Sequence, residues 1–238
     1  MRLLLTFIFM ISCSHQSKWG YYGVHSPDQW AKISSEYQAC ELGHNQSPVD
    51  LSMNDSIEIE ERVKFNYHDS KTSLIDNGHT VKAVFKEENY IEISNKKYFL
   101  KQLHFHTHSE HSVEGVFYPL ELHLVHKASD GKLAVLAFFI DVDNKNTNRF
   151  GFFKNIKRGA TSETTIKLSR LIRYAGEHFF YNGSLTTPPC TENVHWIVFD
   201  KHLSLNRSQV ENFRAIYSRN YRHINTHKFK GQIYHSSL

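Results

Sequence analysis

The sequence lacks any apolar run long enough to cross a bilayer: the longest, Leu3 to Ile11 with Thr6 interrupting it, falls far short of the roughly 20 residues a spanning helix needs. No transmembrane segment is therefore expected. An excess of one charge sign is missing too, with 28 Lys plus Arg against 24 Asp plus Glu. A net of +4 without clustering argues against nucleic acid as a partner. With 11 glycines and five prolines in 238 residues, 40% hydrophobic and 22% charged, the chain is neither collagen-like nor disordered. No internal repeat, low-complexity tract or Pro/Gly-rich linker divides residues 19 to 238, so a single domain over 19–238 is the economical reading. The residue in excess is histidine, present 17 times.

Cysteine is scarce, with three in the chain, and the first lies in a segment with its own logic. Arg2 followed by Leu3 to Ile11 forms a charged n-region and an apolar h-region, with Ser12 and Ser14 placed as a signal peptidase requires, which predicts a signal segment over 1–14. The mature protein is then exported and periplasmic. Ile11-Ser12-Cys13 also matches the end of a bacterial lipoprotein box, although Met10 stands where Leu is usual, so a lipid anchor at Cys13 is the alternative outcome of processing. An uncleaved apolar N-terminus on a cytosolic protein is the third reading. Either processing route leaves Cys40 and Cys190, which an exported protein is expected to pair. The closed loop would stabilise by roughly 4 to 5 kcal/mol as an upper figure.

Segments rich in β-branched and aromatic residues recur at short spacing: Val81 to Phe85, Tyr90 to Ile93, Tyr98 to His108, Leu120 to His126, Leu133 to Ile140 and Val194 to Phe199. The fold class is mainly β. Leu133 to Ile140 is apolar on both faces, which predicts a central strand covered on both sides. One helix is legible, opened by Asn206 as N-cap with Gln209 completing a capping box and Val210, Phe213 and Tyr217 on one face.

In Lys101 to His108 the alternation places His104, His106 and His108 on one face of a strand, with Leu103 and Phe105 on the other. Residues two apart on a strand lie ~6.6 Å apart, near enough for two imidazoles to converge on one ion, whereas four apart, at ~13 Å, is too far. A third ligand must come from another strand. Glu121 to His126 alternates in the same way, and an antiparallel neighbour would bring His123 opposite the pair. Three neutral imidazoles without thiolate suit Zn2+ with a fourth position open to water, a catalytic arrangement. Gln102 and Glu121 each lie two residues before a proposed ligand and are candidates to orient it.

Seven stretches extend this pattern: WGYYG at Trp19 to Gly23, NQSPVDL at Asn45 to Leu51, NGH at Asn77 to His79, QLHFH at Gln102 to His106, SEHSVEG at Ser109 to Gly115, ELHLVH at Glu121 to His126 and GSLTTPPC at Gly183 to Cys190. In that order they make the sequence resemble an α-class carbonic anhydrase of the exported bacterial type over almost all of residues 19 to 222. The resemblance implies a large twisted, mostly antiparallel central sheet of about ten strands with short peripheral helices, a zinc site at the base of a cone-shaped cleft, and a Cys40–Cys190 disulfide. It implies reversible hydration of carbon dioxide to bicarbonate and a proton by attack of zinc-bound hydroxide.

The roles it implies are these. His104, His106 and His123 hold zinc; Gln102 and Glu121 orient the first and third, and a carbonyl near Asn220 orients His106. Thr186 accepts from the hydroxide and donates to Glu110, while Thr187 helps hold bicarbonate. Val125, Val135, Leu185, Val194 and Trp196 form the apolar wall for carbon dioxide. His79 is the proton shuttle, with Tyr21 and Asn77 ordering the water between it and zinc. Some positions depart from the family pattern: Lys82 puts a cation in the cleft, His108 is unusual and is read as a surface residue, and His223-Ile224-Asn225 lacks the usual proline and glutamine. Carbon dioxide and bicarbonate are the expected partners, and a second copy is a candidate partner for a homodimer. The histidine excess also leaves a competing reading, a periplasmic zinc carrier on the same fold.

Overall fold

The computed structural model describes residues 19–86, 88–143, 156 and 158–237. The proposed signal segment 1–14, with Cys13, lies outside the described residues. Among the described residues, fourteen strands follow in chain order: β1 (Asp50–Leu51), β2 (Ile57–Glu58), β3 (Val63–Asn66), β4 (Ser70–Asp76), β5 (Val81–Val84), β6 (Tyr90–Ile93), β7 (Lys96–His106), β8 (Ser112–Val113), β9 (Leu120–Lys127), β10 (Leu133–Val142), β11 (Thr161–Ile166), β12 (His178–Ser184), β13 (Glu192–Leu205) and β14 (Tyr234–Ser236). Helices are short: α1 (Trp30–Ile33), α2 (Ala39–Leu42), α3 (Arg207–Ile216) and several 3₁₀ turns.

Twelve strands form one sheet in the order β11-β4-β5-β7-β9-β10-β13-β12-β14-β2, with β6 pairing β7 and β3, while β1 and β8 form a small separate pair. Most pairings are antiparallel; β10 with β13 and β14 with β2 are parallel. β10 lies near the middle and is buried from Ala134 to Ile140, as its two-sided apolar run requires. Its odd and even residues feed different cores. Leu136, Phe138 and Ile140 join the large cluster with Leu103, Phe105 and Phe213. Val135, Ala137 and Phe139 join a second with Trp196 and Tyr181. α3 covers the first cluster with Val210 and Phe213, and its start is fixed as expected: the Asn206 side chain accepts from Gln209 N (2.9 Å) while Gln209 Oε1 accepts from Asn206 N (3.2 Å).

This is the large, mostly antiparallel sheet of about ten strands that was expected, with some outer strands that carry little local signal. β4 (SKTSLID) buries Thr72 and Leu74 and β11 (TSETTI) buries Ile166, but the rest of both strands is exposed or half-buried and mostly polar, so they show little of the apolar enrichment that marks the centre. The ladder containing the histidines also stops earlier than the alternation predicts. β7 ends at His106 because Asn220 Oδ1 accepts from Thr107 N (2.8 Å) and the Thr107 hydroxyl bonds Tyr217 O, turning the chain out of the sheet. His108 therefore leaves the face shared by His104 and His106 and rests on the rings of Tyr221 (3.9 Å) and Phe117 (4.7 Å).

Cys40, in α2, is joined to Cys190, beside β13, and both are buried with Trp30 and Tyr37 in a third apolar cluster. The bridge closes a loop with a sequence separation of 150, so its removal releases a large denatured-state entropy. The Cys40→Ser/Cys190→Ser variant should unfold at lower urea concentration, with a loss of up to about 5 kcal/mol and an unchanged far-ultraviolet spectrum at zero denaturant. A midpoint equal to that of the oxidised protein would show that the bridge adds nothing to stability.

Candidate metal centre

The β7–β9 ladder sets His104 directly opposite His123, and His106 follows two residues along on the same face. The three rings converge: centroids are 4.8 Å apart for His104–His106, 5.2 Å for His104–His123 and 4.6 Å for His106–His123. One nitrogen from each lies within 4.8 Å of the others. The opposite nitrogen of every ring meets an oxygen acceptor. His104 Nδ1 donates to Gln102 Oε1 (2.9 Å), His106 Nδ1 to the Asn220 carbonyl (2.5 Å) and His123 Nε2 to Glu121 Oε1 (2.8 Å). Each bond fixes a tautomer whose remaining nitrogen carries a lone pair, namely Nε2 of His104 and His106 and Nδ1 of His123.

His106 Nε2 is fully buried and has no hydrogen-bond partner among the described residues. A buried polar atom without a partner costs stability unless something else binds it. Burial, reinforced by the neighbouring imidazoles, holds His104 well below the usual histidine range and His106 at about 3, so both are neutral at physiological pH. His123 is also held down by burial, with Glu121 opposing. Three neutral imidazole lone pairs aimed at one point, with no thiolate, form a donor set that fits zinc.

Glu121 does more than orient His123. Its Oε1 also accepts from His111 Nδ1 (2.7 Å), and its Oε2 accepts from Glu110 N (2.7 Å) and His111 N (2.9 Å). Burial opposes its charge, yet His111 and His123 hold its carboxyl well below the usual range. His111 Nε2 lies 2.6 Å from the Tyr181 hydroxyl, which lies 2.9 Å from Ser47 Oγ. His111, Glu121 and His123 form a second group of potential ligands, but it shares two residues with the first network and its atoms are already hydrogen-bonded to one another.

Glu110 is completely buried, and its Oε1 accepts from Arg222 N (2.7 Å). Burial raises its carboxyl well above the normal value, opposed by the hydrogen bond from Thr186 and by the Arg222 N–H. Glu110 Oε2 faces the histidines, 3.4 Å from His106 Nε2 and 3.9 Å from His123 Nδ1. Thr186 and the half-buried Thr187 sit in the turn after β12, tied by Cys190 N to Thr187 O (2.9 Å) and Leu185 N to Thr191 O (2.9 Å).

All five residues expected to form an apolar wall belong to one cluster, with Val135, Val194 and Trp196 buried and Val125 and Leu185 packed against them. Val135 on β10 stands opposite both Val125 on β9 and Trp196 on β13. The Trp196 ring lies 4.9 Å from His123, so this wall adjoins the imidazole cluster. His79 stands apart from it, stacked on Trp19 at 3.8 Å and edge-on to Tyr21 at 6.3 Å. Asn77 Oδ1 accepts from His79 N (3.0 Å) and Thr80 N (2.9 Å), so this oxygen shapes the turn that presents His79. Burial lowers the His79 pKa; Asp76 opposes this and Lys82 adds to it. Lys82 on β5 stands opposite His104.

Four contributors are marked by no periodicity in the sequence. His111 and Tyr181 are brought together from separate segments, and Asn220 uses its side chain as well as its carbonyl, donating to Phe105 O (2.8 Å) and His79 O (3.1 Å). Arg222 is buried with its guanidinium donating to Gln46 Oε1 (2.8 Å), Ser47 O (2.9 Å) and Cys40 O (2.8 Å). The partial clue was the Gln46-Ser47 pair in NQSPVDL.

Residues 25–231 match the family model described as eukaryotic-type carbonic anhydrase. The chain is 32% identical to a carbonic anhydrase of Nostoc sp. over 215 residues, covering 87% of this chain and 81% of that one. It is 32% identical to a carbonic anhydrase of Neisseria gonorrhoeae over 234 residues, 92% of each. Among solved structures, the α-carbonic anhydrase of Thermovibrio ammonificans, in complex with the inhibitor sulfanilamide, superposes with a TM-score of 0.86 at 33% identity, covering 92% of this chain and 99% of the other.

The ligand assignment separates two histidine substitutions. His123→Ala should lose stoichiometric zinc, read by elemental analysis after gel filtration, whereas His108→Ala should keep it; the opposite pair of results removes His123 from the metal centre.

Proposed function

Because the chain belongs to the eukaryotic-type carbonic anhydrase family and is a carbonate dehydratase by that membership, we propose that it catalyses zinc-dependent reversible hydration of carbon dioxide to bicarbonate and a proton, with His79 as proton shuttle. The observation that carries this reading is the convergence of three neutral imidazole nitrogens, one of them buried and unpartnered, beside an apolar wall. His104, His106 and His123 would hold the ion. When bound, zinc supplies the Lewis acidity that makes water ionise near neutral pH, an effect for which carbonic anhydrases are the reference case.

The surrounding side chains divide the remaining work. Thr186 donates its proton to Glu110, leaving lone pairs as the only hydrogen-bonding capacity of the Thr186 oxygen. That oxygen then accepts a hydrogen bond from the attacking water-derived nucleophile and turns its reactive lone pair toward the wall. Val125, Val135, Leu185, Val194 and Trp196 hold carbon dioxide, a nonpolar molecule that needs shape and exclusion of water. Thr187 helps hold the bicarbonate product. His79 takes the proton left over and passes it outward, because an imidazole is the side chain whose ordinary pKa lies nearest neutrality. Tyr21 and Asn77 order the water between the centre and His79.

The same reading places the mature protein outside the cytoplasm. No described helix is long and apolar enough to cross a membrane, and the Cys40–Cys190 disulfide fits an oxidising compartment. Signal-peptide cleavage into the periplasm and lipidation at Cys13 are the two processing routes consistent with it.

Stopped-flow hydration, before and after chelation and with metal content measured on the same sample, tests the proposal. Fast hydration lost with about one zinc per chain and restored by zinc is the expected result; several loosely held ions without hydration would favour a carrier instead. His79→Ala should lower kcat by about one to two orders of magnitude with kcat/KM retained and partial rescue by imidazole. Unchanged turnover in weak buffer would remove the shuttle role.

A further inference from the structure

A shuttle imidazole must hand its proton to a base from solution, and the surface next to His79 is shaped for one kind of base. A cavity of about 70 Å³ opens there, lined by Tyr21, Tyr22, His79, Arg158, Tyr217 and Arg219 among others. One water needs roughly 10 to 15 Å³ of such volume, so the space takes several waters or one small polyatomic ion. Arg158 is anchored by Nη2 to Ile216 O (2.8 Å), which uses one of the five donors of its guanidinium. Arg219 is exposed and forms no ion pair with a carboxylate among the described residues.

Charges of both signs act on His79, Asp76 more strongly than Lys82, while the cleft lining itself contributes the cations Arg158 and Arg219. Lys82 adds positive charge from β5. Asp76 is the opposing carboxylate, and its oxygens already accept from Gly78 N (2.7 Å) and Gly159 N (2.6 Å). Tyr22 and Ser218 close the rim with a hydroxyl pair at 2.7 Å. Two guanidiniums beside a proton-carrying imidazole repel a cationic buffer, give a neutral one no gain, and offer forked donors to an oxyanion.

We propose that this cleft is a docking site for a small oxyanion base of the hydrogen phosphate class, which receives the proton from His79; the inference rests on the shuttle role given to His79 above. In the transfer a ring N–H bond of the imidazolium breaks and an O–H bond forms on the anion. Imidazole and dihydrogen phosphate result, with no change of oxidation state. The product carries one negative charge fewer than the base that entered, so Arg158 and Arg219 hold it less tightly and it departs.

The test uses the zinc-loaded mature protein and follows kcat against buffer concentration at constant pH and ionic strength, so that general screening does not vary. Inorganic phosphate is compared with the uncharged base 1,2-dimethylimidazole. In Arg158→Ala/Arg219→Ala the half-saturating phosphate concentration should rise about tenfold, the equivalent of one charge-assisted contact, while the dimethylimidazole curve and kcat/KM for carbon dioxide stay unchanged. Arg158→Lys/Arg219→Lys, which keeps the charge and loses the fork, should fall between. Nuclear magnetic resonance of the His79 ring supplies a readout independent of turnover: phosphate should shift it saturably in the unsubstituted protein and not in the alanine variant. Phosphate curves that superimpose in the two proteins overturn the docking site, as does equal inhibition of both by phosphate. If His79→Ala leaves turnover unchanged in every buffer, the shuttle fails, whereas the ring shift still reports whether the cleft binds phosphate.

Discussion

Across the β7–β9 ladder His104 faces His123, and this pairing sets the position of every other group around the candidate centre. A slip of one residue would turn all the imidazoles of one strand to the opposite face of the sheet. What prevents it is the other face: Leu103 and Phe105 on β7 and Leu122 and Leu124 on β9 are completely buried in the large cluster. The packing of one side of the sheet thus determines the chemistry of the other. β10 extends the same control, since its alternate residues serve the structural core and the apolar wall.

The polar groups behind the histidines make a continuous buried network in a setting where an unsatisfied atom is costly. Glu121 is its centre, accepting four hydrogen bonds from Glu110 N, His111 N, His111 Nδ1 and His123 Nε2. Those bonds hold the carboxylate ionised and immobile. Glu110, ten-odd residues earlier in the chain, is held instead by Arg222 N and Thr186. Two buried carboxylates thereby occupy different electrostatic environments, one stabilised as the anion and the other pushed toward the neutral acid.

Much of this was legible in the sequence because strand periodicity is local. The alternation in Gln102 to His106 and in Glu121 to His126 gave the shared face, the need for a second strand and the orienting residues. Its failure at His108 is instructive. Nothing in residues 101 to 108 announces that Thr107 will be captured by Tyr217 and Asn220, residues more than a hundred positions away. His111, Tyr181 and Arg222 were missed as network members for the same reason, since their partners are set by tertiary contacts and carry no period. The polar outer strands β4 and β11 escaped because half-exposed strands show weak apolar alternation.

Residues 220 to 222 lie more than a hundred positions beyond His106 and Glu110, yet Asn220 supplies the carbonyl that orients His106 and Arg222 the N–H that fixes Glu110. The centre is therefore completed by a segment more than a hundred positions along the chain from the groups it orients. Because synthesis runs from the N-terminus, a growing chain has all three imidazoles well before it has the clasp that aims them.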